Sequence, residues 1–187
     1  MTNSIKILAI SGSTRKESSN LNLIKAIADL TSEVFDITIF EGLSTLPHFN
    51  PDLDNEDSPQ EITDFRNQIR TADGILICTP EYALGVPGSL KNAIDWTVSS
   101  MEFSKKPVAL VTASLSGEKA HNSLLGTLLM IEAHLTADTH LLIPYIKTKV
   151  TKDHKITDQL TLDSINKLTK SLKAIIKREN VELISAA

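Results

Sequence analysis

Ile5-Lys6-Ile7-Leu8-Ala9-Ile10 is a nearly unbroken apolar run, and Ser11-Gly12-Ser13-Thr14-Arg15-Lys16-Glu17-Ser18-Ser19-Asn20 follows it as a polar loop rich in small hydroxyls. Leu23, Ile24, Ile27 and Leu30 then recur at helical spacing, so a helix begins near Asn20. An apolar run without alternation reads as a strand buried on both faces of a parallel sheet. Similar runs at Gly74 to Cys78, Val108 to Ala113 and His140 to Ile146 are expected as further central strands. Val34 to Phe40 alternates instead, with Asp36 and Thr38 between Phe35, Ile37 and Ile39, as a half-exposed edge strand would.

Helical periods fill the intervals. They run through Ile62, Phe65, Ile69 and Ala72; through Leu90, Ile94, Val98 and Met101; and through Leu124, Leu128, Ile131 and Leu135. A last one, with Leu160, Ile165, Leu168, Leu172, Ile175 and Ile176, opposes a lysine-rich side. Strand and helix therefore alternate five times. Right-handed crossovers then give an α/β fold, a doubly wound five-stranded parallel sheet of order 2-1-3-4-5 with helices on both faces. Ligands in this architecture sit at the carboxyl ends of the strands, at the switch point between the first and third. The loops after Ile10, Cys78 and Ala113 are the places to look for chemistry.

The whole chain, 187 residues, suits one domain spanning 1–187. With 19 Lys and Arg against 23 Asp and Glu, its formal charge of −4 offers no general field for nucleic acid or anionic lipid. Residues 41 to 65 hold seven acids and no Lys or Arg, and read as a loop plus an acidic helix start. The lysines after residue 147 read as a solvated helix face. No apolar run spans a bilayer, and Met1-Thr2-Asn3-Ser4 lacks the features of a signal peptide, so a cytoplasmic location without membrane partners is expected. Cys78 stands alone, which excludes an internal disulfide and suits a buried thiol at a strand end. His48, His121, His134, His140 and His154 have no ligand spacing, so no metal site is expected, and His121 reads as a helix-surface residue.

The first loop places Ser13, Ser18 and Asn20 where a helix N-terminus presents free N–H groups, an arrangement suited to phosphate; Arg15 adds a charged donor, and Gly12 permits close approach. An ordinary N-capped polar loop is the alternative. There is neither G-x-G-x-x-G nor G-x-x-x-x-G-K-[ST], so neither the dinucleotide fingerprint nor the P-loop applies. The second loop, Thr79-Pro80-Glu81-Tyr82-Ala83-Leu84-Gly85-Val86-Pro87-Gly88, is a proline-fixed ledge whose one aromatic suits the edge of a planar heterocycle.

Together, G-S-x-R-x-x-S-x-N at residues 12–20 and P-E-Y-x-x-x-x-P-G-x-L-K-N-A-I-D-W at residues 80–96 closely resemble the NAD(P)H-dependent FMN reductases, a flavodoxin-like family that includes quinone, azo and chromate reductases. The resemblance spans nearly the whole chain, including Leu46-Pro47-His48-Phe49-Asn50. It implies that Ser13, Arg15, Ser18 and Asn20, with Ser11 beside them, hold the FMN phosphate. Pro80, Glu81, Tyr82, Ala83 and Leu84 would line the isoalloxazine, with Ser114 and Gly117 of the third loop beside the flavin pyrimidine. Lys91, Asn92 and Asp95 are assigned to structural anchoring and to a subunit contact. Two positions depart from the family pattern: Ala83 stands where many members have Asn, and Ser114 to His121 contains one glycine where relatives carry several.

The resemblance further implies ping-pong hydride transfer from NADPH or NADH to FMN and onward to a small-molecule electron acceptor, with no obligatory catalytic acid, base or nucleophile from the protein. It also implies a homodimer or homotetramer. A flavodoxin-type electron carrier and a non-catalytic flavin-binding regulator are the alternatives on the same fold.

Overall fold

The computed structural model describes residues 4–185; the reading of Met1, Thr2 and Asn3 lies outside them. Five strands, β1 (Ile5–Ser11), β2 (Phe35–Ile39), β3 (Gly74–Thr79), β4 (Val108–Ala113) and β5 (His140–Ile143), form one parallel sheet of order β2-β1-β3-β4-β5. The helices are α1 (Ser19–Thr31), α2 (Gln60–Thr71), α3 (Gly88–Asp95), α4 (Glu118–Met130) and α5 (Gln159–Ile176). Alternate residues of the central strands supply two cores. Ile10, Ile77 and Leu110 pack with Phe65, Leu90 and Leu124 under α2, α3 and α4, while Ala9, Cys78 and Val111 pack with Leu23, Ile27, Ile165 and Leu168 under α1 and α5. Each such aliphatic side chain contributes about 1.5–3 kcal/mol on burial. Among the described residues no helix is long and apolar enough to cross a membrane.

Three expected elements end early, each for a local reason. β5 is a half-exposed edge rather than a central strand, and it stops at Ile143 because Pro144 has no N–H and Tyr145 turns into the left-handed region at φ 56°. α3 ends at Asp95: the Trp96 carbonyl accepts from Arg66 Nε at 2.8 Å, and Val98 and Met101 lie exposed beyond the helix. α4 ends at Met130, where left-handed Glu132 lets Ala133 N–H return to the Leu128 carbonyl and Glu132 N–H to Leu129, so Leu135 is buried outside the helix.

The long loop after β2 is tied down from α3. Asn92 accepts the Phe49 N–H at 2.7 Å and donates to the Pro47 carbonyl at 2.9 Å, which also receives Trp96 Nε1–H at 2.9 Å. Buried Arg66 and half-buried Asp54 close the same loop at 2.6 Å. Lys91 and Asp95 pair along α3 at 2.6 Å.

Candidate functional site

The loops after β1, β3 and β4 meet at one rim, at the crossover where the chain passes from β2-β1 to β3-β4. Gly12 N–H donates to the Cys78 carbonyl at 2.8 Å, and a Cβ on Gly12 would lie 2.3 Å from Thr79 Oγ1. The space that glycine leaves is therefore filled by β3 and Leu90, so this residue serves the packing of loop against strand rather than approach to a ligand. Beyond it the loop folds on its own hydroxyls. Ser11 Oγ donates to the Ser13 carbonyl at 3.2 Å and accepts the Ser13 N–H at 3.4 Å, and Ser13 Oγ accepts the Arg15 N–H at 3.4 Å.

Ser18 is the N-cap of α1, its Oγ accepting the Asn20 N–H at 3.2 Å. No described residue accepts a hydrogen bond from the main-chain N–H groups of Thr14, Lys16, Glu17, Ser18 or Ser19. Arg15 is exposed with its guanidinium unpaired among the described residues, and α1 has no acid in its first turn. Asn20 is spent differently from expectation: Nδ2 donates to the Ala113 carbonyl at 2.9 Å, stitching α1 to β4, and the buried Oδ1 has no partner among the described residues. An orphaned acceptor asks for a hydroxyl donor, which phosphate oxygens are not at neutral pH and a sugar-alcohol chain is.

In the second loop Pro80 is buried, and Tyr82 and Gly85 exchange both main-chain hydrogen bonds at 3.0 Å around Ala83 and Leu84. This two-residue turn holds Ala83 at φ 50° and Leu84 at φ 60°, conformations favoured by Asn and Gly and costing about 1–2 kcal/mol for other residues. Ala83 therefore loses more than a side-chain amide: it loses the residue type that fits the turn. Leu84 and Tyr82 stay 72% and 47% exposed at the rim, and the Tyr82 hydroxyl reaches Ser13 Oγ at 3.1 Å across the crevice.

Glu81 joins the second loop to the third. Its N–H donates to Ser114 Oγ at 3.1 Å, while its carboxylate accepts the Ala120 N–H at 3.0 Å and the Ser116 hydroxyl at 3.1 Å. It thereby caps α4, whose own N-cap, Gly117, has no side chain for the purpose. The Ala120 N–H holds the carboxyl below its ordinary value; burial opposes this, and Ser116 with the Gly117 and Lys119 amides reinforces it. Gly117 sits at φ 93° with Leu142 and Thr112 within 3.0 Å of a would-be Cβ, beneath the loop and away from its open side. Of the expected site residues, Ser11, Ser13, Arg15, Ser18, Asn20, Pro80, Glu81, Tyr82, Ala83, Leu84, Ser114 and Gly117 lie on three loops that hydrogen bonds join, Ser13 to Tyr82, Glu81 to Ser114 and Asn20 to Ala113.

Several features were not legible in the sequence. His121 is buried at 6% exposure, not on the helix surface, with Nδ1 3.0 Å from Thr112 Oγ1 and Nε2 3.1 Å from His140 Nδ1. Burial first, and the neighbouring His140 second, push its pKa down to about 4. The lysines at 147, 149, 152 and 155 lie on a short helical turn and a hairpin after β5, not on a helix face. The one available signal for the Glu81 cap was a helix start at Gly117-Glu118 with no capping side chain of its own.

A doubly wound parallel sheet with its ligand-type loops at this crossover is a flavodoxin-like protein. Among solved structures the chain is similar to an NAD(P)H:(acceptor) oxidoreductase from Paracoccus denitrificans, with TM-score 0.74, 22% identity, and 95% of this chain and 100% of that one covered. The family model for NADPH-dependent FMN reductase matches residues 5–147, and the chain belongs to that family. Curated relatives include an NAD(P)H-dependent FMN reductase of Pseudomonas aeruginosa, 31% identical over 95% of this chain and 98% of the relative, and a quinone reductase of Escherichia coli K12, 27% identical over 97% and 100%. The protein is accordingly an FMN-dependent oxidoreductase that uses NAD(P)H.

Proposed function

We propose that this chain, as one domain, binds FMN through the crevice between the first and second loops and reduces quinones or similar small planar acceptors at the expense of NAD(P)H. The observation that carries the reading is the amino end of α1, where within one short loop five main-chain N–H groups have no acceptor among the described residues, Arg15 is exposed, and the Ser13 and Ser18 hydroxyls precede the buried Asn20, whose Oδ1 has no partner among the described residues. The donors suit the cofactor phosphate and the orphaned acceptor suits a ribityl hydroxyl, so the residues present fit FMN.

Bound FMN supplies hydride acceptance from NAD(P)H and electron delivery to the acceptor. The chain's own residues hold and orient. Pro80 and the strained turn at Ala83-Leu84 fix the ledge, Glu81 ties that ledge to the third loop, and the exposed rim of Tyr82 and Leu84 leaves room for acceptors of varied outline. A homodimer or homotetramer in the cytoplasm belongs to the same proposal; exposed Leu53, Val98 and Met101 supply apolar surface for such an association.

The deciding experiment is anaerobic: FMN-loaded protein, freed of excess flavin, is mixed with NADPH or NADH and the visible flavin absorbance is followed. Rapid bleaching is expected. Retained flavin without bleaching would point to an electron carrier, and no retained flavin would remove the proposed cradle.

A further inference from the structure

Hydroxyls crowd the first loop, but few of them keep a hydrogen for a ligand. A serine hydroxyl carries one hydrogen and two lone pairs. Ser11 Oγ gives its hydrogen to the Ser13 carbonyl at 3.2 Å and accepts the Ser13 N–H at 3.4 Å, so its donor is spent inside the loop. Ser13 Oγ, on a buried residue, accepts the Arg15 N–H at 3.4 Å and lies 3.1 Å from the Tyr82 hydroxyl. Among the described residues neither hydroxyl of this pair has a further partner. Two hydrogens therefore serve one hydrogen bond, and one of them is left over.

Which hydrogen is left over follows from the chemistry of the two groups. An aromatic ring withdraws electron density from a phenol oxygen, so the phenol is the stronger donor and the alkyl hydroxyl the better acceptor. Tyr82 O–H donates and Ser13 Oγ accepts. Both lone pairs of Ser13 Oγ are then filled, by Arg15 and by Tyr82, and its remaining capacity is to donate. Two incoming donors also polarise that O–H and strengthen it. Tyr82 is held in place from its own side: it exchanges both main-chain hydrogen bonds with Gly85 at 3.0 Å, and its neighbour Glu81 is tied to Ser114 and Ala120 of the third loop.

We infer that Tyr82 is a positioning residue for the cofactor phosphate: its hydroxyl donates to Ser13 Oγ and so directs the Ser13 O–H to a phosphate oxygen. The inference rests on the proposed function for the presence of FMN at this loop, and it gives Tyr82 a task at the phosphate end, distinct from the ring edge that the family resemblance implies. A donor oriented in advance loses less freedom when the phosphate arrives. Ser18 keeps its hydrogen too, since its Oγ only accepts, from the Asn20 N–H, but no second hydroxyl of the described residues fixes its direction. A phosphate that displaced Tyr82 from Ser13 would make the same contact a latch, and the two roles differ in sign.

Fluorescence titration of the full chain, freed of flavin, with FMN and with riboflavin separates these roles, because riboflavin lacks the phosphate. Tyr82→Phe keeps the ring and removes only the hydroxyl. It is expected to weaken FMN binding about fivefold, the size ordinary for one hydrogen bond, and to leave riboflavin binding unchanged. Ser13→Ala is expected to weaken FMN binding about tenfold, and in that background Tyr82→Phe should add nothing, because the hydroxyl it orients is gone. Equal losses for the two flavins would place the Tyr82 hydroxyl at the ring, tighter FMN binding would make it a latch, and additive losses in the double variant would separate it from Ser13; each overturns the inference. The Tyr82→Phe comparison decides alone if the Ser13→Ala chain fails to fold. An unaltered chain that binds FMN no more tightly than riboflavin overturns the proposed phosphate cradle and the inference with it, whereas a preference for FMN that Tyr82→Phe leaves intact overturns the inference alone.

Discussion

Two helices begin at the same rim and dispose of their amino-terminal donors in opposite ways. α4 starts at left-handed Gly117, with Glu118 in its first turn and the Glu81 carboxylate brought across from the neighbouring loop to accept the Ala120 N–H. α1 starts behind Ser18 with no acid in its first turn, and the N–H groups of Thr14, Lys16, Glu17, Ser18 and Ser19 make no hydrogen bond to the described protein. A helix N-terminus carries about half a positive charge, which a carboxylate or an exogenous anion satisfies equally well. One end is therefore committed to holding the protein together and the other is turned toward the crevice. Changes at α4 should move stability, and changes at α1 should move affinity.

The largest effect belongs to α4. His121 lies in its first turns, buried against Thr112 and His140, with its pKa pushed down to about 4; burial also lowers that of His140, while Asp138 nearby partly restores it. Groups whose folded pKa is depressed below the unfolded value near 6.5 stay neutral while the unfolded chain takes up protons, so stability falls as pH drops from about 6.5 toward 4. Each tenfold difference in proton affinity between the unfolded and folded imidazole is worth about 1.4 kcal/mol, so the loss reaches roughly 3 kcal/mol by pH 4. Urea unfolding at several pH values should show this decline in the unaltered chain and a much flatter one in His121→Gln. Parallel curves for the two would mean that the pair does not resist protonation and that α4 is less committed than its geometry indicates.

Glu81 tests the same side with a smaller effect. Replacing it by Ala removes the acceptor for Ala120 N–H and for Ser116, and losses of this capping kind cost about 1–2 kcal/mol. Because the folded carboxyl titrates below its ordinary value, its contribution is present above the unfolded pKa near 4.5 and is lost as pH falls through the lowered folded value. The gap between the unaltered chain and Glu81→Ala should accordingly close in acid, as measured by thermal melting at pH 7 and below pH 4. A gap that persists unchanged in acid would assign the loss to packing rather than to the cap.

How much of this was readable beforehand follows the same division. Apolar runs and helical periods are signals of local sequence, and they announced the β2-β1-β3-β4-β5 sheet because parallel strands covered on both faces have little freedom to look like anything else. The first loop was legible for a similar reason, since its N-cap, hydroxyls and Arg15 lie within nine residues of one another. What escaped notice depends on contacts distant in the chain. Glu81 meets Ala120 across 39 residues, Asn20 meets Ala113 across 93, and Lys152 meets Glu17 only after the sheet has closed. His121 reads as a surface residue because its polar neighbours in sequence, Lys119, Asn122 and Ser123, say nothing of Thr112 below it or of His140 on the next strand. The end of β5 was overrun because Ile146 is apolar and buried, though in a helical turn after the strand.

Arg15 carries the smallest effect and the cleanest separation. Its guanidinium is exposed and bonded to no described residue, so Arg15→Ala should leave Tm unchanged within about a degree, as surface substitutions away from special features do. If α1 is the end turned toward the cofactor, the same substitution removes one charge-assisted donor from the phosphate and weakens FMN binding about tenfold, close to 1.4 kcal/mol. Riboflavin, which lacks the phosphate, is the internal control. Fluorescence titration should show the tenfold loss for FMN and none for riboflavin. An equal loss for both would move Arg15 to the ring or the sugar chain, and a loss of stability without loss of affinity would make α1 as internally committed as α4, dissolving the contrast between the two helix ends.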